Sequence, residues 1–140
     1  MTILESVYDY IENHCDLIKK NHQSVGFNFI SEVVESCSIV EVPADSVIKT
    51  YVGGEKLKQC VFHFCSREFY GIDSENNLEN DRLYEDLEYW FKEQSDIGNL
   101  PALDRGRTSQ YIETTTKGYL LENEGDEAKY VIQCRLVYTE

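Results

Sequence analysis

The chain predicts an α+β domain in which a mainly antiparallel β-sheet, built from two hairpins, packs against two principal α-helices. Three stretches carry that prediction. In the closing YVIQCRLVYTE, Tyr130, Ile132, Cys134, Leu136 and Tyr138 alternate with Gln133, Arg135 and Thr139, the period of two that gives a strand one apolar row. Upstream, NDRLYEDLEYWFKEQ offers Leu83, Tyr84, Leu87, Trp90 and Phe91 as a helix face to cover such a sheet. Between the two apolar runs around Gly53 and Gly54, the glycine pair supplies the positive backbone angles that tight hairpin turns need. Chain ends usually fray, so a terminal strand this apolar has to be pinned by sheet neighbours. Leu83, Leu87, Trp90, Phe91, Ile132 and Leu136 are therefore the expected structural core, with Trp90 anchoring helix to sheet.

Each element follows in order. Ile3, Leu4, Val7, Tyr8, Ile11, Cys15 and Ile18 recur at helical spacing, with Glu5, Asp9, Glu12 and Asp16 opposite, so the first twenty residues read as one amphipathic helix. Gly26, Phe27, Phe29 and Ile30 fit a short helix or a strand, and Ser36 marks a change of direction. Ser38 to Val42 is a short strand candidate closed by Pro43, whose missing N–H disfavours a central strand position. Val47 to Val52 and Leu57 to Tyr70 form the first expected hairpin. Gly71 to Asn80 is turn-like, with Asp73, Ser74, Glu75, Asn76 and Asn77 clustered. The second helix is expected to start at Asn80 or Asp81, short polar residues suited to an N-cap, and to run to about Gln94. Gly98 to Gly106, with Pro101, Asp104 and Arg105, reads as a loop exposed for contact, and Arg107 follows it. Thr108 to Leu121 and Ala128 to Tyr138 form the second hairpin, turning near Asn123 to Asp126. Thr114, Thr115 and Thr116 favour extended backbone within its first strand.

The long strand after Gly54 is apolar on both sides, with Cys60, Phe62 and Phe64 on one face and Leu57, Val61, His63, Cys65 and Phe69 on the other. One layer of helices covers only one face. The surplus calls for covering loops or a neighbouring subunit, which makes Val61, His63 and Cys65 candidate interface residues, beside Tyr138 of the terminal strand and Arg105 and Arg107 of the contact loop.

Composition excludes several functions. At 140 residues and 41% hydrophobic, the chain suits a single domain, residues 1 to 140, with enough length for a core. It has no run of about eighteen apolar residues, and its first residues lack the pattern of a secretion signal, so membrane insertion and export are not expected. A formal charge of −13 opposes attraction to a nucleic acid backbone, and the basic residues occur as pairs such as Lys19 with Lys20 and Lys56 with Lys58. The five cysteines contain no CxxC pair and sit in apolar periodic segments, as buried reduced thiols do. Cys60, His63 and Cys65 do not make a metal site, because Cys60 faces away from the other two on a strand.

No catalytic constellation emerges. His14, His22 and His63 occupy unrelated contexts, and Asp81, Glu85, Asp86, Glu88 and Glu93 form an acidic helix surface whose ordinary role is solvation. Gly53 and Gly54 lack the lysine and glycine pattern of a phosphate-binding loop. The expectation is a chain without catalytic, cofactor-binding or metal-ligating residues.

VIKTYVGGEKLKQCVFHFCSREFYG, NLENDRLYEDLEYWFKEQ, GNLPAL and the closing YVIQCRLVYTE together resemble small minor capsid or tail proteins of phages and prophages of Gram-positive bacteria. The resemblance spans roughly Ser38 to Tyr138. The order of elements also resembles the tail terminator and tail-to-head joining family of long-tailed phages. That resemblance implies a homohexameric ring that stops tail-tube growth and faces the head connector, with the tail tube and connector proteins as partners. It further implies assembly in the bacterial cytoplasm, residence in the virion tail, no cofactor, and a monomer in isolation where the tube or connector supplies the template. The tight Gly53 and Gly54 turn and the long strand beyond it depart from a minimal version. Terminator, adjacent joining protein and other ring component therefore remain alternatives, beside a non-viral bacterial adaptor that binds a partner through its sheet.

Overall fold

The computed structural model describes residues 1–21, 25–28, 36–71 and 74–140, without the side chains of 19–21 and 74–76. Phe29, Ile30, His22 and Asp73 lie outside the described residues, as do the side chains of Lys19 and Lys20. In chain order the elements are α1 (Ile3–His14), α2 (Asp16–Asn21), β1 (Val25–Phe27), β2 (Ser36–Glu41), β3 (Val47–Thr50), β4 (Lys56–Phe69), α3 (Ser74–Ile97), β5 (Thr108–Thr114), β6 (Tyr119–Glu124) and β7 (Glu127–Thr139). The fold is mixed α+β, with an antiparallel-rich sheet.

Helix α1 starts with a reciprocal cap. The Thr2 hydroxyl accepts from the Glu5 backbone at 3.1 Å while the Glu5 carboxylate accepts from the Thr2 N–H at 3.2 Å, satisfying two donors the helix leaves open. The expected single twenty-residue helix breaks at Cys15, whose φ of −90° and ψ of 94° are extended. Apolar spacing continues through the break because Cys15 and Ile18 still enter the same core as Val7 and Ile11. Periodicity reports burial, and a chain can bend while keeping it.

The sheet is organised by its two longest strands. β4 and β7 pair antiparallel from Leu57 opposite Thr139 to Phe69 opposite Glu127. Along the outer side of β4 lie β2, opposite Phe62 to Arg67, and β3, opposite Lys56 to Lys58. Along the outer side of β7 lie β5, opposite Cys134 to Thr139, and β6, opposite Glu127 to Val131. The first hairpin turns through Gly53 and Gly54, with Gly54 at a φ of +89°, where a β carbon would be strained.

The second hairpin differs from the expected one because its first strand is split into β5 and β6. The Thr115 and Thr116 N–H groups both point to the Gln133 carbonyl, at 2.7 and 3.4 Å, so two residues oppose one and the strand bulges. The branched threonines favour extended backbone but do not dictate register. β1 and β2 pair in parallel, the one such pair among the described residues, and local pattern carries no signal for it.

Alternation sends Cys60, Phe62 and Phe64 of β4 and Tyr130, Ile132, Cys134, Leu136 and Tyr138 of β7 to the face that meets α1 and α3. Helix α3 begins six residues before Asn80, at Ser74, so the turn-like reading of Ser74 to Asn80 is corrected. Asn80 is no N-cap: it is buried inside the helix, and its side-chain amide donates to the Phe69 carbonyl at 3.0 Å. Asn80, Tyr84, Leu87 and Phe91 form the buried stripe of α3 at steps of four, three and four residues. Leu83 is only half-buried beside it. Trp90, also half-buried, meets Tyr10 of α1 with ring centroids 5.5 Å apart, so it ties helix to helix instead of helix to sheet. Fully burying a Leu or Phe side chain is worth about 1.5–3 kcal/mol, which makes Leu87, Phe91, Ile132 and Leu136 the weightier members of the expected core.

Candidate interaction surface

The face of the sheet turned away from the helices carries Val61, His63, Cys65 and Arg67 from β4 beside Val131, Gln133, Arg135 and Val137 from β7. Val137 is nevertheless fully buried, at 0% exposure. Its cross-strand partners are Gln59 on one side and Tyr111 on the other. The Arg135 guanidinium donates to Gln59 Oε1 at 3.0 Å, to the Tyr111 hydroxyl at 3.4 Å and to Glu113 Oε1 at 2.7 Å, laying a planar charged cover across the valine. Next to it His63 Nε2 lies 3.3 Å from Gln133 Oε1, and Gln133 Nε2 donates to the Thr115 hydroxyl at 3.1 Å. Polar side chains of the same chain thus roof over much of the apolar surface that the alternation of β4 places here.

The candidate interface residues are separated by this arrangement. Val61 and Cys65 are buried and His63 is half-buried, all on the roofed face. Tyr138 points the other way, into the core beneath the helices. Arg107 is held within its own loop: its guanidinium donates to Asp104 Oδ1 at 2.5 Å, to the Asp104 carbonyl at 3.1 Å and to the Met1 carbonyl at 3.3 Å. Asp104 also accepts from the N-terminal ammonium at 3.2 Å, and the Arg107 hydrogen bond, followed by that of the ammonium, holds its carboxyl below the usual range. Arg105 alone of the six is exposed, at a positive φ of 56°.

Chemistry is sparse around these residues. All five cysteines are buried reduced thiols, and burial pushes the Cys37 and Cys60 thiols up to about 12. Cys60 indeed faces the core while Cys65 and His63 face away from it. Among the described residues no group of three or more His, Cys, Asp or Glu is arranged to hold a metal ion, and no helix is long and apolar enough to cross a membrane. An open groove of about 340 Å³ runs between α3 and β5, lined by charged groups including Glu88, Lys92, Asp96 and Glu113.

The sheet edges differ sharply in how they are finished. On β5 the Ser95 hydroxyl of α3 donates to the Ile112 carbonyl at 2.9 Å and accepts from the Ile112 N–H at 3.0 Å, occupying both outward backbone groups. The edge is closed at that residue, where α3 lies alongside the strand. β3 and β6 are exposed along their whole length, and among the described strands each pairs with a single neighbour. They carry Val47 and Ile48 in one case and Tyr119, Leu120 and Leu121 in the other, with Leu121 50% exposed. β3 lies at one end of β4, and β6 lies on the opposite side of the sheet at the far end of β7. In the sequence these edges are hidden, because Tyr119-Leu120-Leu121 continues the strand expected from Thr108 to Leu121. Three consecutive apolar residues break alternation, and that was the available signal.

No protein-family model matches this chain, and no curated protein is significantly similar to it.

Proposed function

We propose that this chain is a structural assembly subunit, a ring component of a phage tail or tail-like particle that terminates the tail tube or joins the tail to the head connector. The observation that carries the assembly role is the pair of exposed apolar edge strands, β3 and β6, on opposite sides of one sheet. Open apolar edges are templates for strand pairing and are normally blunted, as α3 blunts β5. Two different edges on one subunit support a head-to-tail contact, which closes into a ring when the rotation per subunit closes. The tail location, the number six and the tube and connector partners rest on the family resemblance. The role needs no cofactor and no catalytic group, and the net charge of −13 disfavours retention of DNA against the ring wall.

A reconstruction of the native particle tests this reading. The expected result is a closed ring of this protein at the end of the tail tube, built through strand edges. A monomeric attachment, or a position outside the tail, would overturn it. If the protein instead binds one extended segment of a cellular partner along β3 or β6 and never self-associates, the bacterial adaptor reading replaces it.

A further inference from the structure

We propose that the face of the sheet turned away from the helices holds a site for a small inorganic anion, in the recess where Lys129 and Arg67 meet Ser36 and Ser38. The site is independent of any assembly role.

Its geometry follows from strand register. Directly opposed residues of antiparallel strands point to the same side, and Ser36 of β2, Arg67 of β4 and Lys129 of β7 are opposed in one row. Ser38 lies two residues along β2, opposite Cys65. Together these five residues line a recess of about 10 Å³.

Three observations point to an anion there. First, the row sets two cations side by side, an arrangement that like charges disfavour, in a chain whose formal charge is −13. Second, Lys129 is half-buried yet makes no ion pair among the described residues, although Glu122 of β6 stands opposite it on its other side. The ammonium is close to the β4 side: burial pushes the Cys65 thiol up, and Lys129 is the charge that draws it back. Third, Ser38 is only 2% exposed, and its hydroxyl, on the wall of the recess, has no hydrogen-bond partner among the described residues. Arg67 and Ser36 have further interactions of their own, so the site rests on Lys129 and Ser38.

Size and charge select the ligand. A space of roughly 10–15 Å³ is what one water molecule needs, so the recess admits a single atom. A water would satisfy Ser38 and leave Lys129 without a counter-charge. Chloride, or one oxygen of a phosphate whose remainder stays in solvent, accepts from the hydroxyl and neutralises the ammonium together.

Melting of the intact chain tests the site. Circular dichroism melts are run at constant sodium concentration while chloride, or phosphate in a second series, replaces gluconate, an anion too large for the recess. The expected result is a saturable rise of the melting temperature in at least one series, by roughly 4–6 °C once the anion reaches about ten times its dissociation constant. The series that shows it tells chloride from phosphate. Lys129→Gln should abolish the saturable rise, and Ser38→Ala, which only removes a hydroxyl, should weaken or abolish it. Whatever dependence wild type and variants share is the general action of salt on an acidic chain. A crystal grown in the stabilising anion, with bromide standing in for chloride, should show that anion in the recess. A wild type without a saturable rise in either series, or an equal rise in both variants, would overturn the proposal. So would water alone in the recess, or an ion seen in the crystal with no saturable effect in solution, which would mark an adventitious ion only. None of these outcomes bears on the tail reading, which the particle reconstruction decides.

Discussion

Gly118 passes against the ring of Tyr84 so closely that a β carbon on the glycine would lie 2.5 Å from the Tyr84 β carbon. The tyrosine has little freedom to withdraw. Its hydroxyl is 2.5 Å from the Ser66 hydroxyl, and its ring stacks on Tyr130 with centroids 5.8 Å apart. The absence of a side chain at residue 118 thus lets the bulge between β5 and β6 settle on the core.

Gly118→Ala is therefore expected to destabilise the fold, by about 1–3 kcal/mol as overpacking does. Denaturant unfolding measures it. An unchanged midpoint would show that the bulge moves aside at no cost.

Ser95→Ala removes the hydroxyl that serves both the N–H and the carbonyl of Ile112. Leaving such groups unmet costs about 1–3 kcal/mol when they are buried, and the partly buried setting here puts the expected loss toward the lower end. The same change opens the β5 edge. Hydrogen exchange at the Ile112 amide should accelerate in the variant, and unaltered protection there would refute the role assigned to Ser95.

Phe91→Ala and Trp90→Ala rank the two adjacent aromatics. Phe91 is fully buried and its truncation should cost about 3–5 kcal/mol, whereas Trp90 at the helix margin should cost less and loosen the packing of α1 through Tyr10. Thermal and denaturant melts of the two variants decide the order. A larger loss for Trp90→Ala would restore it as the main anchor.

Alkaline pH should weaken the fold through its thiols. Burial raises Cys37 and Cys60 from about 9 to about 12, so between those values the folded protein keeps protons that the unfolded chain has already released. Their contribution is intact below about pH 9 and is lost progressively as pH rises toward about 12. At pH 8 an aromatic disulfide reagent should react with these thiols only as fast as the protein opens. Rapid stoichiometric labelling of the native protein would contradict their burial.

Much of this architecture is local in origin and is legible in the sequence. The alternation of Tyr130 to Tyr138 assigned the inward face of β7, the glycine pair located the first turn, and the helical spacing of Val7, Ile11, Cys15 and Ile18 marked residues that share one core. Side-chain period follows directly from backbone geometry, so a short stretch of sequence suffices to reveal it. Such patterns do not say where hydrogen bonding stops, and for that reason periodicity runs on through the break at Cys15 and gives no sign of α3 in the six residues before Asn80.

The candidate interaction surface is largely illegible in the sequence because it depends on residues distant in the chain. Arg135 roofs Val137 only because Gln59 and Tyr111 arrive from different strands, Ser95 closes β5 only because α3 lies alongside it, and Arg107 is occupied by Asp104 and Met1. Sequence alone determined which residues are apolar, their periodicity and the acidic balance of the chain. Tertiary structure decided which apolar residues are covered and which edges are shut, since coverage and hydrogen-bond satisfaction are properties of neighbours in space and have no local code.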